Sequence, residues 1–520
     1  MEKFYITTAI DYPNALPHVG TAFEKIAADV QARYRRMDNY DVHFLMGNDE
    51  NTASILKCAE LANKTPQVYV DDIAKEFCQI WDDLDISYTR FIQTTEKDHA
   101  NTVQNVIMAI HRNHPDAFYK KPYVGLYCEG CEEFKGKASL VDDHCPNHPN
   151  KDLKEIKEDH WFFNITKFKQ FIIDFHDNDK YFLSTGFRKE TINLIDDLED
   201  LCVTRNMDCG IKFPLDPKYK VCVWFDALLN YVTGAEGHWP PVHVIGKDIA
   251  KFHALLWPII LHAAGYPFPK ELKVHGFVCR NGKKESKSDN SINYLEELKN
   301  KYSSDVIRYY FMSKCSFSQD SSWSQEQVDT IYKGELSDNL GNLLSRVSSM
   351  AYQYFPDGIP SENVGKNTWT SVFWHNRYCG CMNTFQYDVA LRNIWSLLDR
   401  GNELIEEQKP WELYRNKDFV KLSNILRELI VLLKLVSIYL YPFMPKTSVK
   451  IYNYFKIKHS TYGEAEEDEE LKNFDMVCYI SFLMICSKDN SFLNTVGKLT
   501  VSKAVLVNEK IVPLFPRVDY

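Results

Sequence analysis

The chain has 520 residues, 45% of them hydrophobic, 14% aromatic and 25% charged, a composition that excludes wholesale disorder and supplies material for large buried cores. At roughly 150 residues per domain, about three or four structural units are expected. Sixty-one Lys and Arg against 71 Asp and Glu leave a formal charge of −10, which excludes a global electrostatic attraction to nucleic acid and confines any such contact to local patches.

The first apolar run, residues 4–8, is β-branched and aromatic and predicts a strand. A Pro/Asn/Gly-containing segment, DYPNALPHVG, follows it, and then a helical pattern over about 21–37. A second strand is expected at 42–46, followed by the polar GNDENT and helices near 53–62 and 67–84. Strand, turn and helix in this alternation read as an α/β unit with a parallel sheet. Over 119–157 the periodicity gives way to Gly, Cys, Pro, His, Lys and Asp, which reads as a small irregular insertion held by something other than a large core.

Strand signals return at 220–224, 242–245 and 272–279, with a helix-like HALLWPIILHAAG between the last two. From about Ser304 the pattern is helical, through VIRYYFM, LSDNLGNLLSRVSSM, YDVALRNIWSLLDRGNELIEEQ and SNILRELIVLLKLVSIYL, with YFPDGIPSEN as a junction. EAEEDEELKN reads as a solvated charge run without assigned function.

No long apolar run opens the chain, and the most apolar later stretch, 429–443, is interrupted by Lys434, so neither a secretory signal nor a membrane span is expected. Fourteen cysteines, mostly unclustered, point to a reducing, cytoplasmic compartment. A mature organellar form also fits.

The clustered exceptions are Cys128-x-x-Cys131 and Cys145-x-x-His148, two tight turns separated by 13 intervening residues. Such pairs can close a tetrahedral site, with zinc the expected ion. Four protein ligands leave no open position for a reacting water, so the ion should be structural. Cys379-Gly-Cys381 lacks a second pair and reads as incidental.

Two further features bear on phosphate chemistry. Pro17-His18-Val19-Gly20 lies where the first strand turns into a helix, so backbone N–H groups and an imidazole can face an anion there. Gly282-Lys283-Lys284-Glu285-Ser286-Lys287-Ser288 is a basic loop after a strand, able to deliver ammonium groups to a pyrophosphate leaving group. Neither a Gly-x-x-x-x-Gly-Lys-Ser/Thr loop nor a well-placed dinucleotide fingerprint is present.

The blocks YITTAIDYPNALPHVG, FLMGNDEN, GLYCEGCEEF with CPNH, VWFDALLNYVTG, HVIGKDIAKFHALLWP, VHGF with KKESKS, LSDNLGNLLSR and ELIEEQKPWEL, in this order and spacing, resemble those of methionyl-tRNA synthetases, class I aminoacyl-tRNA synthetases. The single Cys, Cys, Cys, His knuckle resembles that of the one-metal variety of the family. The resemblance implies a dinucleotide-type parallel α/β sheet with an inserted zinc-knuckle domain, followed by an all-helical anticodon-binding bundle. Along the chain it implies the first half of a Rossmann-like catalytic domain at 1–115, the connective insertion at 116–215 and the second half of the catalytic domain at 216–270. A stem-contact region with the lysine loop follows at 271–350, and the anticodon-binding domain and tail at 351–520.

The implied reaction is ATP-dependent activation of L-methionine as methionyl-adenylate and its transfer to tRNA(Met). One structural Zn ion and Mg accompanying ATP are the implied cofactors. By position, His18 corresponds to the first histidine of the family's His-Ile-Gly-His signature, and Lys284 and Lys287 to the lysines of its Lys-Met-Ser-Lys-Ser loop. These are the implied catalytic groups, and with Gly20 and Thr21 they form the implied ATP site. Tyr12, Trp224 and His253 are implied around the methionine side chain, with Asp49 at its amino group. An aromatic wall suits a polarizable thioether and a carboxylate suits an ammonium. Trp224 and His253 also fit core packing, and Asp49 a helix cap.

Asn402 and Trp411 match the anticodon-helix pattern. Trp411, after Pro410, also fits a helix-junction anchor. Tyr452, Tyr454 and Phe455 are the candidates for the tryptophan that the family carries in a later helix. Without an appended oligonucleotide-binding module, a monomer is expected.

The departures fall in the signatures themselves. Thr21 stands for the second histidine of His-Ile-Gly-His, Asn51-Thr52 for His-Gly in the block after the second strand, Glu285 for the loop methionine, and Asp11 adds a carboxylate near the substrate site. They leave open an altered paralogue that binds tRNA or activates another amino acid.

Overall fold

The computed structural model describes residues 1–129, 133–135, 140, 143–146, 152–178, 182–183, 185–280, 283–284, 294–360, 372–457, 505–506 and 513–515. Strand β1 (Lys3–Thr8) leads into α1 (Val19–Met37), β2 (Asp41–Asn48), α2 (Ala53–Leu61), α3 (Pro66–Asp83), β3 (Arg90–Gln93) and α4 (Lys97–Asn113). The apolar runs of β1 and β2 are buried almost throughout, as strands covered on both faces of a parallel sheet must be. Helix α3 starts where Thr65 accepts the Val68 N–H and Pro66 supplies a fixed φ, an N-terminal signal readable from the sequence.

The insertion follows as β4 (Phe118–Cys128), β5 (Glu133–Lys135), β6 (Lys154–Phe163), α5 (Lys169–Asn178), α6 (Thr185–Asn193), β7 (Leu201–Cys202), β8 (Thr204–Arg205) and β9 (Lys220–Val221). Its centre is a long antiparallel ribbon of β4 and β6, in register from Phe118↔Phe163 to Tyr127↔Lys154. This is more regular than the expected irregular module. Lys, Pro and Gly in FYKKPYVGLYC lower local strand preference, but cross-strand pairing along the whole ribbon outweighs it.

The chain then returns to the first domain with α7 (Val223–Leu228), α8 (Asn230–Thr233), β10 (Pro241–Gly246), α9 (Trp257–Ala264) and β11 (Glu271–His275). The expected strand over 220–224 is corrected: only Lys220–Val221 pair, and a helix begins directly afterwards. Phe225 and Asp226 donate their N–H groups to the Cys222 carbonyl, and the Asp226 side chain is drawn inward by distant partners, overriding the β-branched and aromatic local pattern. The expected strand over 272–279 is interrupted at Gly276, where a Cβ would lie 2.4 Å from the Gln319 backbone.

All five strands of the central sheet are parallel, in the order β11-β10-β1-β2-β3. The order reverses between β1 and β10. In an open parallel sheet, the crevice beyond the carboxyl ends of such a strand pair is where ligands bind.

A three-stranded sheet of β12 (Val278–Arg280), β13 (Lys283–Lys284) and β14 (Ser321–Trp323) comes next. The helices α10 (Tyr294–Lys301), α11 (Ser304–Lys314), α12 (Gln325–Ile331), α13 (Asn342–Tyr354), α14 (Val372–Asn383), α15 (Tyr387–Gln408), α16 (Pro410–Arg415), α17 (Phe419–Leu440) and α18 (Pro445–Tyr454) accompany and follow it. Two segments, Phe252–Leu256 and Tyr332–Gly341, are π-helical.

One hydrophobic core runs from the α1 face of the sheet into this bundle, from Ile26 and Val30 to Leu343, Leu398 and Leu432. The tail contributes β15 (Lys456–Ile457) paired with β16 (Val505–Leu506). The charge run EAEEDEELKN lies outside the described residues. Among the described residues no helix is long and apolar enough to cross a membrane.

Candidate active site

The loops leaving β1 and β2 are joined through their backbones. Asp11 N–H donates to Gly47 O at 2.9 Å and Asp49 N–H to Asp11 O at 2.8 Å. This places Tyr12, the next residue, beside the Asp49 loop at the sheet's switch point. On its other side Gly47 lets β3 approach, since a Cβ there would lie 2.0 Å from Ile92 O. Asp49 is buried, three residues before Thr52, the N-cap of α2.

His18 is the N-cap of α1. Its Nδ1 accepts the Thr21 N–H at 3.2 Å, and its own N–H donates to Thr21 Oγ1 at 3.0 Å, closing a capping box. Nδ1 therefore carries no proton. Thr21, at the position of the second signature histidine, is thus a structural partner of the first. A Cβ at Gly20 would lie 3.0 Å from the His18 ring, so glycine here gives the imidazole its room.

On α7, the Trp224 indole stacks on Phe252, which follows β10, with centroids 3.7 Å apart and planes at 9°. Its Nε1 has no hydrogen-bond partner among the described residues. The next residue, His253, sits in the π-helical turn Phe252–Leu256, which no local sequence pattern announces. Its Nδ1 lies 3.1 Å from Ile249 O and its Nε2 2.8 Å from the Tyr231 hydroxyl. The carbonyl can only accept, so Nδ1 carries the proton and Nε2 accepts from Tyr231.

Burial lowers His253 to about 4, which keeps it neutral at pH 7. Tyr231 packs in turn on His243, with centroids 4.2 Å apart. His243 is held between Thr7 Oγ1 at 2.7 Å and the Trp257 N–H at 3.1 Å. Ile10, one residue before Asp11, packs against the same apolar cluster as Trp224 and Ile249. Tyr231 was not singled out from sequence; its spacing of seven residues after Trp224 in VWFDALLNYVTG is the signal that marks it.

Asn51, standing for a family histidine, has a defined task. Its Nδ2 donates to Asp226 Oδ2 at 2.8 Å and to Thr94 O at 3.0 Å. Asp226 also faces His99 Nε2 at 2.6 Å, and all three side chains are buried. The β2 loop is thereby tied to α7, the helix that carries Trp224.

Glu50 points the other way, into a cavity of about 400 Å³ bounded also by Ile55, Val70, Gln104 and Ile211. Burial raises its carboxyl to about 7, against the opposing hydrogen bonds from Thr95 and Gln93. This cavity lies between α2, α3, α4 and residues 209–212, away from the Trp224–His253 wall.

The remaining expected residues are spread over other elements. Lys284 lies on β13, whose backbone pairs with Cys279, and Lys287 and Glu285 lie outside the described residues. Cys128, which ends β4, and Cys145 are buried. Cys131 and His148 lie outside the described residues. Two buried thiols suit a zinc site chemically, and among the described residues alone no group of three or more His, Cys, Asp or Glu donors is assembled.

Asn402, on α15, donates to Asn339 Oδ1 at 3.2 Å and to Leu398 O at 3.3 Å. Trp411 is half-buried in α16 against the bundle core, just past the left-handed Lys409 that separates α15 from α16. Phe455 is fully buried and therefore belongs to the core, whereas Tyr452 and Tyr454 are half-buried.

Comparison with known proteins agrees with this geometry. Residues 4–348 match the family model described as tRNA synthetases class I (M), and 372–478 the one described as anticodon binding domain of methionyl tRNA ligase. The chain is 35% identical over 477 residues to a methionine--tRNA ligase of Caldanaerobacter subterraneus subsp. tengcongensis, covering 87% of this chain and 73% of that protein. It is 32% identical over 499 residues to the methionine--tRNA ligase of Thermotoga maritima, covering 91% and 78%. Among solved structures, Mycobacterium tuberculosis methionyl-tRNA synthetase in complex with methionyl-adenylate superposes with a TM-score of 0.86 at 28% identity, covering 99% of this chain and 100% of that one. The parallel sheet with its switch-point crevice, the helical bundle and these matches together make the chain a member of the methionine--tRNA ligase family of class I aminoacyl-tRNA synthetases.

Proposed function

We propose that the chain activates L-methionine with ATP, giving methionyl-adenylate and pyrophosphate, and then transfers the methionyl group to tRNA(Met). The observation that carries this reading is the wall formed by Trp224 stacked on Phe252 and by neutral His253 held by Tyr231, facing the switch-point crevice. Aromatic faces suit a thioether, and a neutral imidazole adds no charge to an apolar pocket. Asp49 receives the methionine ammonium and Tyr12 closes the side-chain pocket.

The methionine carboxylate is already ionised and attacks the α-phosphorus directly; an O–P bond forms as the bond to the bridging oxygen of pyrophosphate breaks. The step needs alignment and charge neutralisation more than a general base. His18, Gly20 and Thr21 at the start of α1 face the phosphates, where the helix dipole also favours negative charge. Lys284 and Lys287 neutralise the leaving pyrophosphate, and Mg enters with ATP to supply further charge neutralisation. A terminal ribose hydroxyl of the tRNA then attacks the carbonyl carbon and AMP departs.

Cys128, Cys131, Cys145 and His148 would hold one structural zinc ion that supports the insertion. Asn402 and Trp411 contact the anticodon, where base stacking and edge hydrogen bonds are required. The test is methionine-dependent ATP–pyrophosphate exchange by zinc-loaded protein, scanned across the other amino acids. Exchange specific to methionine is expected, falling about 100-fold or more in Lys287→Ala. Exchange with a different amino acid, or with none despite tRNA binding, would favour the altered-paralogue reading instead.

A further inference from the structure

Lys25 is completely buried in α1; its ammonium donates to Ala9 O at 2.8 Å and Glu24 Oε1 at 3.0 Å and forms an ion pair with Asp11 Oδ2 at 3.0 Å. All three contacts are internal to the protein. Two of these partners, Ala9 and Asp11, flank Ile10 in the segment leaving β1. Glu24 extends the cluster: its Oε1 also accepts the Ala9 N–H at 3.1 Å, and its Oε2 faces His275 Nε2 at 3.3 Å at the end of β11. Asp11, through its backbone, carries Gly47 and Asp49. One ammonium therefore links the exits of β1 and β11 to α1 and, one hydrogen bond further, to the β2 loop.

The charge pattern gives this linkage a purpose. Asp11 and Asp49 are both buried, with 6% and 3% exposure, and their backbones are hydrogen-bonded to one another. A substrate ammonium entering here meets two carboxylates, and two unequal poses would blur its alignment. Lys25 commits Asp11 to an internal ion pair. We propose that Lys25 is a positioning residue for the methionine ammonium: by holding Asp11 it fixes the Tyr12 and Asp49 loops relative to each other and leaves Asp49 as the carboxylate that receives the substrate. This rests on methionine being the amino acid activated in the crevice.

The experiment separates the Michaelis constants in ATP–pyrophosphate exchange and adds methionine-induced change in tryptophan fluorescence as a binding readout that needs no turnover. Lys25→Met should raise KM for methionine roughly tenfold while KM for ATP stays within about twofold, because only one substrate's site is disturbed. Asp11→Asn alone should raise KM for methionine by about threefold, and Asp11→Asn combined with Lys25→Met should recover most of the Lys25→Met loss, the sign of coupling between contacting residues.

Equal rises in both Michaelis constants, a fall in kcat alone, or a double variant no better than Lys25→Met would overturn the proposal. If Lys25→Met does not fold, Asp11→Asn decides the matter, and an unchanged KM for methionine in that variant overturns it. Wild-type protein without methionine-dependent exchange would remove the functional reading itself and this inference with it; a wild-type enzyme that is active but insensitive to the pair removes the inference alone.

Discussion

Helix α1 buries two charge clusters, one near its start and one near its middle, and they differ in what they join. At Glu24 and Lys25 the polar partners from other elements, Ala9, Asp11 and His275, lie at the carboxyl ends of β1 and β11. At Asp29 the partners lie on α1 itself, on the segment before β3 and on α11. Asp29 Oδ2 receives Arg33 at 2.8 Å and Arg308 of α11 at 2.6 Å, and Oδ1 receives the Ser87 N–H at 2.7 Å. Arg308, also fully buried, donates further to Leu84 O, Pro442 O and Phe443 O, at 3.2, 2.8 and 3.0 Å.

Both clusters pair each buried charge with an opposite one, as buried ions must. Burial alone would raise both carboxyls. Lys25 and His275 outweigh it at Glu24 and bring it down to about 2, and Arg33 and Arg308 hold Asp29 well below the carboxylate range. The same electrostatics ties α1 to α11 and the segment before α18 in one place and to the ends of β1 and β11 in the other, and on the proposed role of Lys25 the variants should separate stability from substrate binding.

The largest effect is expected from breaking the Asp29 cluster. Arg308→Met leaves Asp29 with Arg33 and Ser87 alone, strands three backbone carbonyls and should cost about 3 kcal/mol, seen as a lower denaturation midpoint, with the methionine KM of the surviving folded enzyme unchanged. A third buried carboxylate, Glu50, sharpens the contrast because no ion-pair partner offsets its burial and its pKa rises to about 7. Its folded-state pKa lies above the unfolded one, so its contribution is fully present below about pH 4.5 and is lost as pH rises through about 7. Relative to wild type, Glu50→Gln should flatten that loss by up to about 3 kcal/mol in unfolding measured between pH 5 and 8. Glu24 works with the opposite sign: its contribution is present above about pH 4.5 and is lost as pH falls toward about 2.

Gly47→Ala should cost about 1–3 kcal/mol by overpacking, since its Cβ meets the Ile92 backbone and cannot be relieved by a rotamer change. Because Gly47 O receives the Asp11 N–H, this variant should also raise the methionine KM, joining the two kinds of effect. The smallest change marks the baseline outside both clusters: Thr65→Ala, which removes the α3 cap, should cost about 1 kcal/mol in thermal unfolding and leave exchange kinetics alone.

Local pattern explains which parts of the molecule could be read in advance. The strands at β1, β2 and β10 follow from apolar runs, and α15 from a long 3.6-residue periodicity whose expected limits coincide with Tyr387–Gln408. The start of α1 was legible because a turn followed by His18 and Gly20 marks a helix N-terminus. The failures occurred where distant contacts overrode local preference. Val223 and Trp224 favour a strand by composition, yet Asp226, two residues later, is pulled into bonds with Asn51 and His99, and the segment becomes α7. The π-helical turn that carries His253 leaves no periodic signature of its own.

By itself, the sequence determined the strand–helix alternation, the family blocks and the residue types available for methionine and phosphate, because these depend on neighbours a few positions apart. Only the tertiary structure decided that Thr21 and Asn51, which depart from the family pattern, are structural partners of His18 and Asp226, and that Asp11 is neutralised by Lys25. It also decided the burial that keeps His253 neutral, the approach of His253 to a tyrosine 22 residues away, and the pairing of Glu24 with His275 across 251 residues. The physical reason is that a buried polar group takes its meaning from the partner that satisfies it, and that partner is chosen by sheet order and helix packing rather than by proximity along the chain.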